Sequence, residues 1–179
     1  MRPVSKIETR QKIIKILSSK KEKELLNLSK KIINNLLSLK DFLEKSIYFV
    51  YVSQEKEVFT HDLIKFLLKK GKIVLVPKIV DKNIIPVEIK NFDNLKIGRY
   101  GILEPILENA FEGKIDISVV PGLAFTKEGT RLGRGGGFYD RFFAKNKNGF
   151  KIGLCYDFQL IDKIDEEDHD VKMDLVITN

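Results

Sequence analysis

An α/β domain with a largely parallel sheet is the fold class this sequence predicts, and two features carry the prediction. Short runs of β-branched and aromatic residues alternate along the chain with segments of helical periodicity, and one strand, one helix and a second strand follow in immediate succession. The composition agrees. With 43% hydrophobic and 32% charged residues, 179 positions suit one globular domain with a sizeable core and leave no room for a second domain and its linker. The domain is read as residues 1–179, with a helical pair over 1–40 packed on an α/β core over 46–179.

The first 40 residues read as two amphipathic helices. Ile7, Ile14 and Leu17 mark one apolar stripe, and Leu25, Leu28, Ile32 and Leu36 a second, with lysines opposite. Ser18-Ser19 interrupts the pattern, which is too short for a coiled coil, so both helices are expected to pack on a sheet. Residues 46–52 (SIYFVYV) are too apolar for a sheet with one wet face and predict a strand buried on both sides. Thr60 offers an N-cap to a helix over 61–70, closed by two lysines and Gly71, and 72–76 is the next strand, ending before Pro77. A right-handed crossover makes these strands parallel and gathers the turns that follow them at one edge of the sheet. Residues 84–89 read as a further strand and 101–105 as an ordered turn. A third clear strand spans 115–120, ended by Pro121-Gly122. A glycine turn, a helix over 138–145, a strand over 150–156, a short helix around 159–164 and a last strand over 175–178 complete the order.

No apolar run approaches the roughly 20 residues that cross a bilayer, and charges recur every few residues through Lys31, so a cytoplasmic protein is expected. The single Cys155 has no partner for a disulfide or a thiolate metal site and reads as a core thiol. The net charge of +7 invites a nucleic-acid partner, but its distribution argues against one: the first 40 residues are lysine-rich, whereas 157–174 is acidic. Lysine dominates the basic residues, yet Arg131, Arg134 and Arg141 fall within eleven positions. Arginine presents a planar fork to phosphate or carboxylate oxygens, so the cluster points to anion recognition.

Those arginines flank Gly133, Gly135, Gly136 and Gly137, in a turn that joins a strand to a helix. Consecutive glycines cost backbone entropy but let main-chain N–H groups approach an anion without Cβ interference, and the helix start that follows adds free donors and partial positive charge. The Gly-Lys-Ser/Thr ending of a Walker loop and the acidic ribose partner of a dinucleotide site are both missing. Asp140, a hard-oxygen carboxylate beside such a cradle, is what Mg²⁺ needs, and a nucleotide is a better guest than the alternative of a flexible glycine hairpin.

The run from Pro121 to Arg141 (PGLAFTKEGTRLGRGGGFYDR) resembles the signature of the 5-formyltetrahydrofolate cyclo-ligase family, also called methenyltetrahydrofolate synthetases. Lys6 and Arg10, Glu57-Val58-Phe59-Thr60, the GILEP of 101–105, Gln159-Leu160 and the HDVKMD of 169–174 agree in order along nearly the whole chain. The resemblance implies a single three-layer α/β domain of the NagB/RpiA/CoA-transferase-like kind. It implies an enzyme of one-carbon metabolism that uses Mg·ATP to close 5-formyltetrahydrofolate into 5,10-methenyltetrahydrofolate, releasing ADP and phosphate. Carried over by position, Lys6 and Arg10 resemble ATP contacts, as do Arg131, Leu132, Gly133, Arg134, Gly135, Gly136, Gly137, Phe138 and Tyr139. Asp140 and Asp170 resemble the magnesium carboxylates. Val52 and Glu57 resemble folate-pocket positions, Arg134 to Phe138 lie where both substrates meet, and Arg134 is the residue chosen to steady the transferring phosphoryl group. A monomer is expected.

Plainer readings stand beside these. Lys6 and Arg10 are one helical turn apart, as an ordinary surface pair would be. Glu57 suits an exposed position near a helix start, the acidic run of 165–170 a solvated loop, and Tyr48, Phe49 and Tyr51 the strand core. Thr126 and Phe138 depart from the family's Asp and Tyr. A relative of the same fold that only binds nucleotide or RNA, and a ligase for a different small molecule, are the competing functions.

Overall fold

Hydrophobic residues at every position of a strand require cover on both sides, and the chain supplies it with helices on each face of one sheet. The computed structural model describes residues 5–107, 109–147 and 149–179. Its helices are α1 (Lys6–Ser19), α2 (Glu22–Leu37), α3 (His61–Lys69) and α4 (Phe138–Lys145). Its strands are β1 (Ile47–Val50), β2 (Ile73–Val80), β3 (Asn83–Ile89), β4 (Leu95–Ile97), β5 (Leu103–Pro105), β6 (Ile117–Val120), β7 (Ala124–Phe125), β8 (Arg131–Leu132), β9 (Phe150–Leu154) and β10 (Leu175–Ile177). Six of them form the central sheet in the order β10-β9-β6-β1-β2-β3, parallel throughout except for the β2–β3 pair, and β4–β5 and β7–β8 are small antiparallel pairs.

Period-2 alternation divides the sheet residues between two cores. Tyr48, Val50, Val74, Val76 and Val119 face a cluster built with Ile13 and Leu17 of α1, Leu25, Ile32 and Leu36 of α2, and Leu63, Ile64 and Leu67 of α3. Phe49, Leu75 and Val120 face the opposite way, against Phe125 and against Phe142 and Phe143 of α4. Phe49 and Phe142 meet with ring centroids 4.7 Å apart. Cys155 is fully buried in this second cluster, and burial pushes its thiol up to about 12, so it is an inert core residue.

Four local expectations are corrected. In α1 the inward face runs through Lys6, Arg10, Ile13 and Leu17, while Ile7 and Ile14 are 64% and 45% exposed. The first turn of this helix lies over a cavity rather than over the core, so its inward positions there are cationic. Ser18 and Ser19 do end the helix, each returning its hydroxyl to a carbonyl of the preceding turn. The strand expected to stop before Pro77 continues to Val80, because Pro77 sits opposite Pro86 of the edge strand β3 and beyond the last residue of β2 paired with β1. Pro86 presents its carbonyl outward to the N–H of Phe111, so its missing donor falls on the edge side of the ladder.

Thr60 occupies the N-cap position of α3 without capping it. Its hydroxyl donates instead to the carbonyl of Tyr51 (2.7 Å) and accepts from the N–H of Ser53 (3.1 Å), which closes the loop after β1. The helix expected around 159–164 is only a 3₁₀ turn over Asp157–Gln159. The buried Gln159 side chain accepts from the N–H of Tyr156 and donates to the carbonyl of Leu123, and Ile161 N–H bonds to Phe125 O, which draws the chain out along β7.

Candidate active site

Because β1, β2 and β6 are neighbours and β1 is parallel to both others, the segments following their carboxyl ends converge. There they enclose a cavity of about 450 Å³. Lys6, Arg10, Val52, Glu57, the whole stretch from Arg131 to Tyr139, Asp140 and Asp170 all line it. These residues therefore share one cavity, whereas Arg141 of the arginine cluster lies outside its lining and donates to the carbonyls of Gly136 and Lys82.

The glycine turn is built by the β7–β8 hairpin, which the sequence reading did not anticipate. Leu123 N–H bonds to Leu132 O, and Thr126 N–H to Thr130 O, folding the chain back so that Arg131 returns beneath Pro121. Thr126, where the family has Asp, does its work here: its side-chain oxygen accepts from the N–H of Thr130 inside the hairpin turn. Past Leu132, Gly135 (φ +106°) and Gly137 (φ +66°) adopt backbone conformations that L-residues rarely reach. Gly137 is the N-cap of α4 and no side chain caps it, so the amides of the first turn stay open to the cavity.

Arg131 is the most buried cation of the site, with a side chain 5% exposed. Its guanidinium donates to Pro121 O (3.2 Å) and to Asp140 Oδ2 (3.3 Å) and lies over the Tyr139 ring, while its buried Nε has no hydrogen-bond partner among the described residues. Asp140 also accepts from the N–H of Val171 (3.1 Å), which brings the residue next to Asp170 against it. Arg10 donates to Gly133 O (2.9 Å) and so pins α1 to the turn. The Lys6 ammonium sits between Asp170 (2.7 Å) and Glu167 (2.6 Å). Burial by itself lowers the Lys6 pKa, but hydrogen bonds to Asp170 and Glu167 outweigh it and hold that value above the ordinary lysine one. Asp170 is held below its ordinary value because the Lys6 hydrogen bond and the Glu167 N–H overcome the opposing effect of burial.

On the other side of the turn, Glu57 is largely buried. Its carboxylate accepts from the N–H of Gln54 (2.8 Å) and faces Arg134 at 3.8 Å, an ion pair too long to be a direct hydrogen bond. Burial pushes the Glu57 carboxyl up, against the opposing Gln54 N–H and the Arg134 charge. The loop that carries it is held from behind: the Tyr156 hydroxyl donates to Glu57 O (2.9 Å) and meets the Ser29 hydroxyl of α2 (3.1 Å), which also accepts from the N–H of Phe59. Tyr48 and Phe49 are fully buried strand core, whereas Tyr51 is buried yet also borders the cavity.

The far wall was missed at the sequence level. It comprises Pro77 and Ile79 of β2, Ile84 of β3, and Tyr100, Ile102 and Glu104 around β5. These residues are mainly apolar, and the extension of β2 past Pro77 is what puts Ile79 beside the site; Ile102 and Glu104 belong to the GILEP segment noted in the sequence, whereas no motif announces Pro77, Ile79, Ile84 or Tyr100. Glu167 and His169 also reach the cavity, and His169 is exposed. Together with Asp170 they form a group whose ligand atoms lie within 4.8 Å of one another, and Asp140 is not part of that group.

A mainly parallel sheet that carries an arginine-bearing glycine turn and an open helix terminus at its carboxyl edge defines an α/β enzyme with a seat for an anionic ligand. Comparison with known proteins makes the class particular. The model of the 5-formyltetrahydrofolate cyclo-ligase family matches residues 2–179, and the chain belongs to that family, which makes it a ligase. It is 31% identical over 189 residues to a probable 5-formyltetrahydrofolate cyclo-ligase of Caenorhabditis elegans, covering 96% of this chain and 91% of the relative. Among solved structures, the 5,10-methenyltetrahydrofolate synthetase of Aquifex aeolicus matches with a TM-score of 0.86 and 33% identity, over 97% of this chain and 89% of that one. The synthetase of Mycoplasma pneumoniae matches with a TM-score of 0.75 and 25% identity, over 96% and 97%. No described helix is long and apolar enough to cross a membrane.

Proposed function

We propose that the chain catalyses the ATP-dependent cyclisation of 5-formyltetrahydrofolate to 5,10-methenyltetrahydrofolate, with release of ADP and phosphate, at the cavity described above. The observation that supports this reading is a single cavity lined both by the arginine-bearing glycine turn and by apolar residues of β2, β3 and the segment leading into β5. Residues 131–140 with Lys6 and Arg10 suit a triphosphate, and Val52, Glu57, Ile79, Ile84, Tyr100 and Ile102 suit a reduced pterin. We read residues 1–179 as one catalytic domain, acting as a monomer in the cytoplasm.

In this mechanism the γ-phosphoryl group passes to the formyl oxygen of the folate. N10 then attacks the activated formyl carbon and gives up its proton, the C–O bond breaks, and the original formyl oxygen leaves with phosphate, which carries the proton away, so a C–N bond forms and the methenyl bridge remains. Phosphoryl transfer needs alignment and charge neutralisation rather than a protein nucleophile. The open amides of α4 and the Arg131 guanidinium hold phosphate oxygens. Arg134, 56% exposed and only loosely paired with Glu57, is the group assigned to the phosphoryl group in flight. Glu57 orients the pterin by accepting its N–H donors.

Mg²⁺ fits the residues present, since Asp140 and Asp170 offer hard carboxylate oxygens beside the phosphate seat, each already balanced by a cation. When bound, the ion would neutralise charge on the phosphates. The test is to incubate purified protein with Mg·ATP and 5-formyltetrahydrofolate and follow the methenyl chromophore. Formation that depends on both metal and nucleotide supports the proposal, and binding of nucleotide with no turnover overturns it.

A further inference from the structure

Each of the two carboxylates proposed for the metal is already neutralised by one of the cations proposed for the phosphates. Lys6 Nζ lies 2.7 Å from Asp170, and the Arg131 guanidinium lies 3.3 Å from Asp140. Neither pair is an exposed surface contact: the side chains are 18% and 12% exposed in the first and 5% and 18% in the second. The pairing is crossed with respect to function, because each cation faces a carboxylate rather than open solvent: Asp140 spends both oxygens on protein donors, and Asp170 Oδ2 takes both Lys6 and the N–H of Glu167. Lys6 has a second place to rest. Glu167 Oε2 lies 2.6 Å from its ammonium, so the lysine can release Asp170 without losing an anionic partner.

We propose that Lys6 and Arg131 are resident counterions of Asp170 and Asp140, which they release only when a divalent cation and a triphosphate arrive together. This rests on the metal reading of the two aspartates given above. The charge balance explains why the two ligands are needed together. A dication alone would be set within a few ångströms of an ammonium and a guanidinium that have no anion to move to, apart from Glu167. A triphosphate alone would be set beside two carboxylates whose counterions it must strip away. Arriving together, the dication takes the two carboxylates and the phosphates take Lys6 and Arg131, so neither aspartate and neither cation is left without an opposite charge in a partly buried site. Glu167 is then a positioning residue, keeping the Lys6 ammonium at the edge of the cavity during the exchange.

Mn²⁺ binding, followed by the loss of the free-ion electron paramagnetic resonance signal, tests this without turnover. In the wild-type protein, a non-hydrolysable ATP analogue should tighten Mn²⁺ binding beyond the metal's affinity for the analogue alone, and by at least tenfold over nucleotide-free protein. In nucleotide-free Lys6→Met, Mn²⁺ should bind at least tenfold more tightly than to wild type, because Asp170 has lost its counterion, and the benefit of adding the analogue should shrink. Equal Mn²⁺ affinity of the wild type with and without the analogue overturns the proposal, as does a folded Lys6→Met protein that binds Mn²⁺ no better than wild type. The wild-type comparison stands even if the variant does not fold. Methenyl formation by the wild type with Mn·ATP separates the two levels. Turnover with a failed exchange test removes only the counterion role, and absent turnover removes the cyclo-ligase mechanism beneath it.

Discussion

Replacing Glu57 by glutamine separates a binding role from a structural one, because the two roles predict opposite results. The substitution keeps the side-chain volume and leaves an oxygen to accept from the N–H of Gln54, now as a neutral acceptor, at a cost of about 1 kcal/mol. It removes an ion pair with Arg134 that spans 3.8 Å and involves a guanidinium 56% exposed, which is worth below about 1 kcal/mol. It also removes the burial penalty that pushes this carboxyl up, an offset of the opposite sign. The net change in stability should stay within about 1 kcal/mol, or roughly 2–4 °C in the melting temperature of a domain this size. The folate loses a charged acceptor for its pterin N–H donors, worth about 1.5–3 kcal/mol, so KM for 5-formyltetrahydrofolate should rise roughly ten- to hundredfold while KM for ATP stays near wild type. Thermal unfolding and initial rates of methenyl formation measure both quantities. An unchanged folate KM with a melting temperature lowered by more than about 5 °C would show that Glu57 serves the loop and not the ligand.

The same carboxyl has a pH signature of definite sign. Its folded-state value lies above the ordinary 4.5, so its contribution to stability is full below that value and is lost as pH rises through the folded one; Glu57→Gln should lack this limb.

Three further outcomes are expected. Arg134→Ala should lower kcat by about 10²–10³ with little change in melting temperature, since the side chain is mostly solvated; an unaltered kcat would withdraw its role. Gly135→Ala places a methyl no closer than 3.8 Å to the Arg10 guanidinium, so its cost is the backbone at φ +106°, about 1–3 kcal/mol, read as a lower melting temperature and weaker ATP binding. In acid, the contact of α1 with the loop of Glu167 and Asp170 should fail. The Asp170 carboxyl is depressed below its ordinary 3.8, so its stabilisation is present above that value and is lost as pH falls through the folded one. Amide hydrogen exchange in α1 should rise over that interval in wild type, and Lys6→Met should lack the transition.

What was legible in the sequence followed from strong local periodicity. The run SIYFVYV announced a strand covered on both faces, and Tyr48 and Phe49 do enter opposite cores. The stripe of α2 was read correctly because every inward position except Ser29 is apolar, whereas α1 was turned to the wrong face because Lys6 and Arg10 occupy inward positions over a cavity. Thr60 looked like a cap because capping is the commonest use of such a residue, but a long-range partner at Tyr51 claimed its hydroxyl. The glycine-turn side of the cavity was legible because glycines, arginines and carboxylates are chemically distinctive at short spacing. The apolar side was less so, since Pro77, Ile79 and Ile84 come together only through the pairing of β2 with β3, and apolar residues look alike wherever they lie in a sequence.

The first two helices are tied to two different margins of the cavity. Arg10 of α1 grips the turn at Gly133, and Ser29 of α2 reaches the Glu57 loop through the hydroxyl of Tyr156. A short connection at Lys20 and Lys21 makes these helices one bracket between the glycine turn and the Glu57 loop, although no residue of α2 is among the described residues lining the cavity. A change at the Ser29 hydroxyl is therefore expected to shift the Glu57 loop relative to the turn that Arg10 grips.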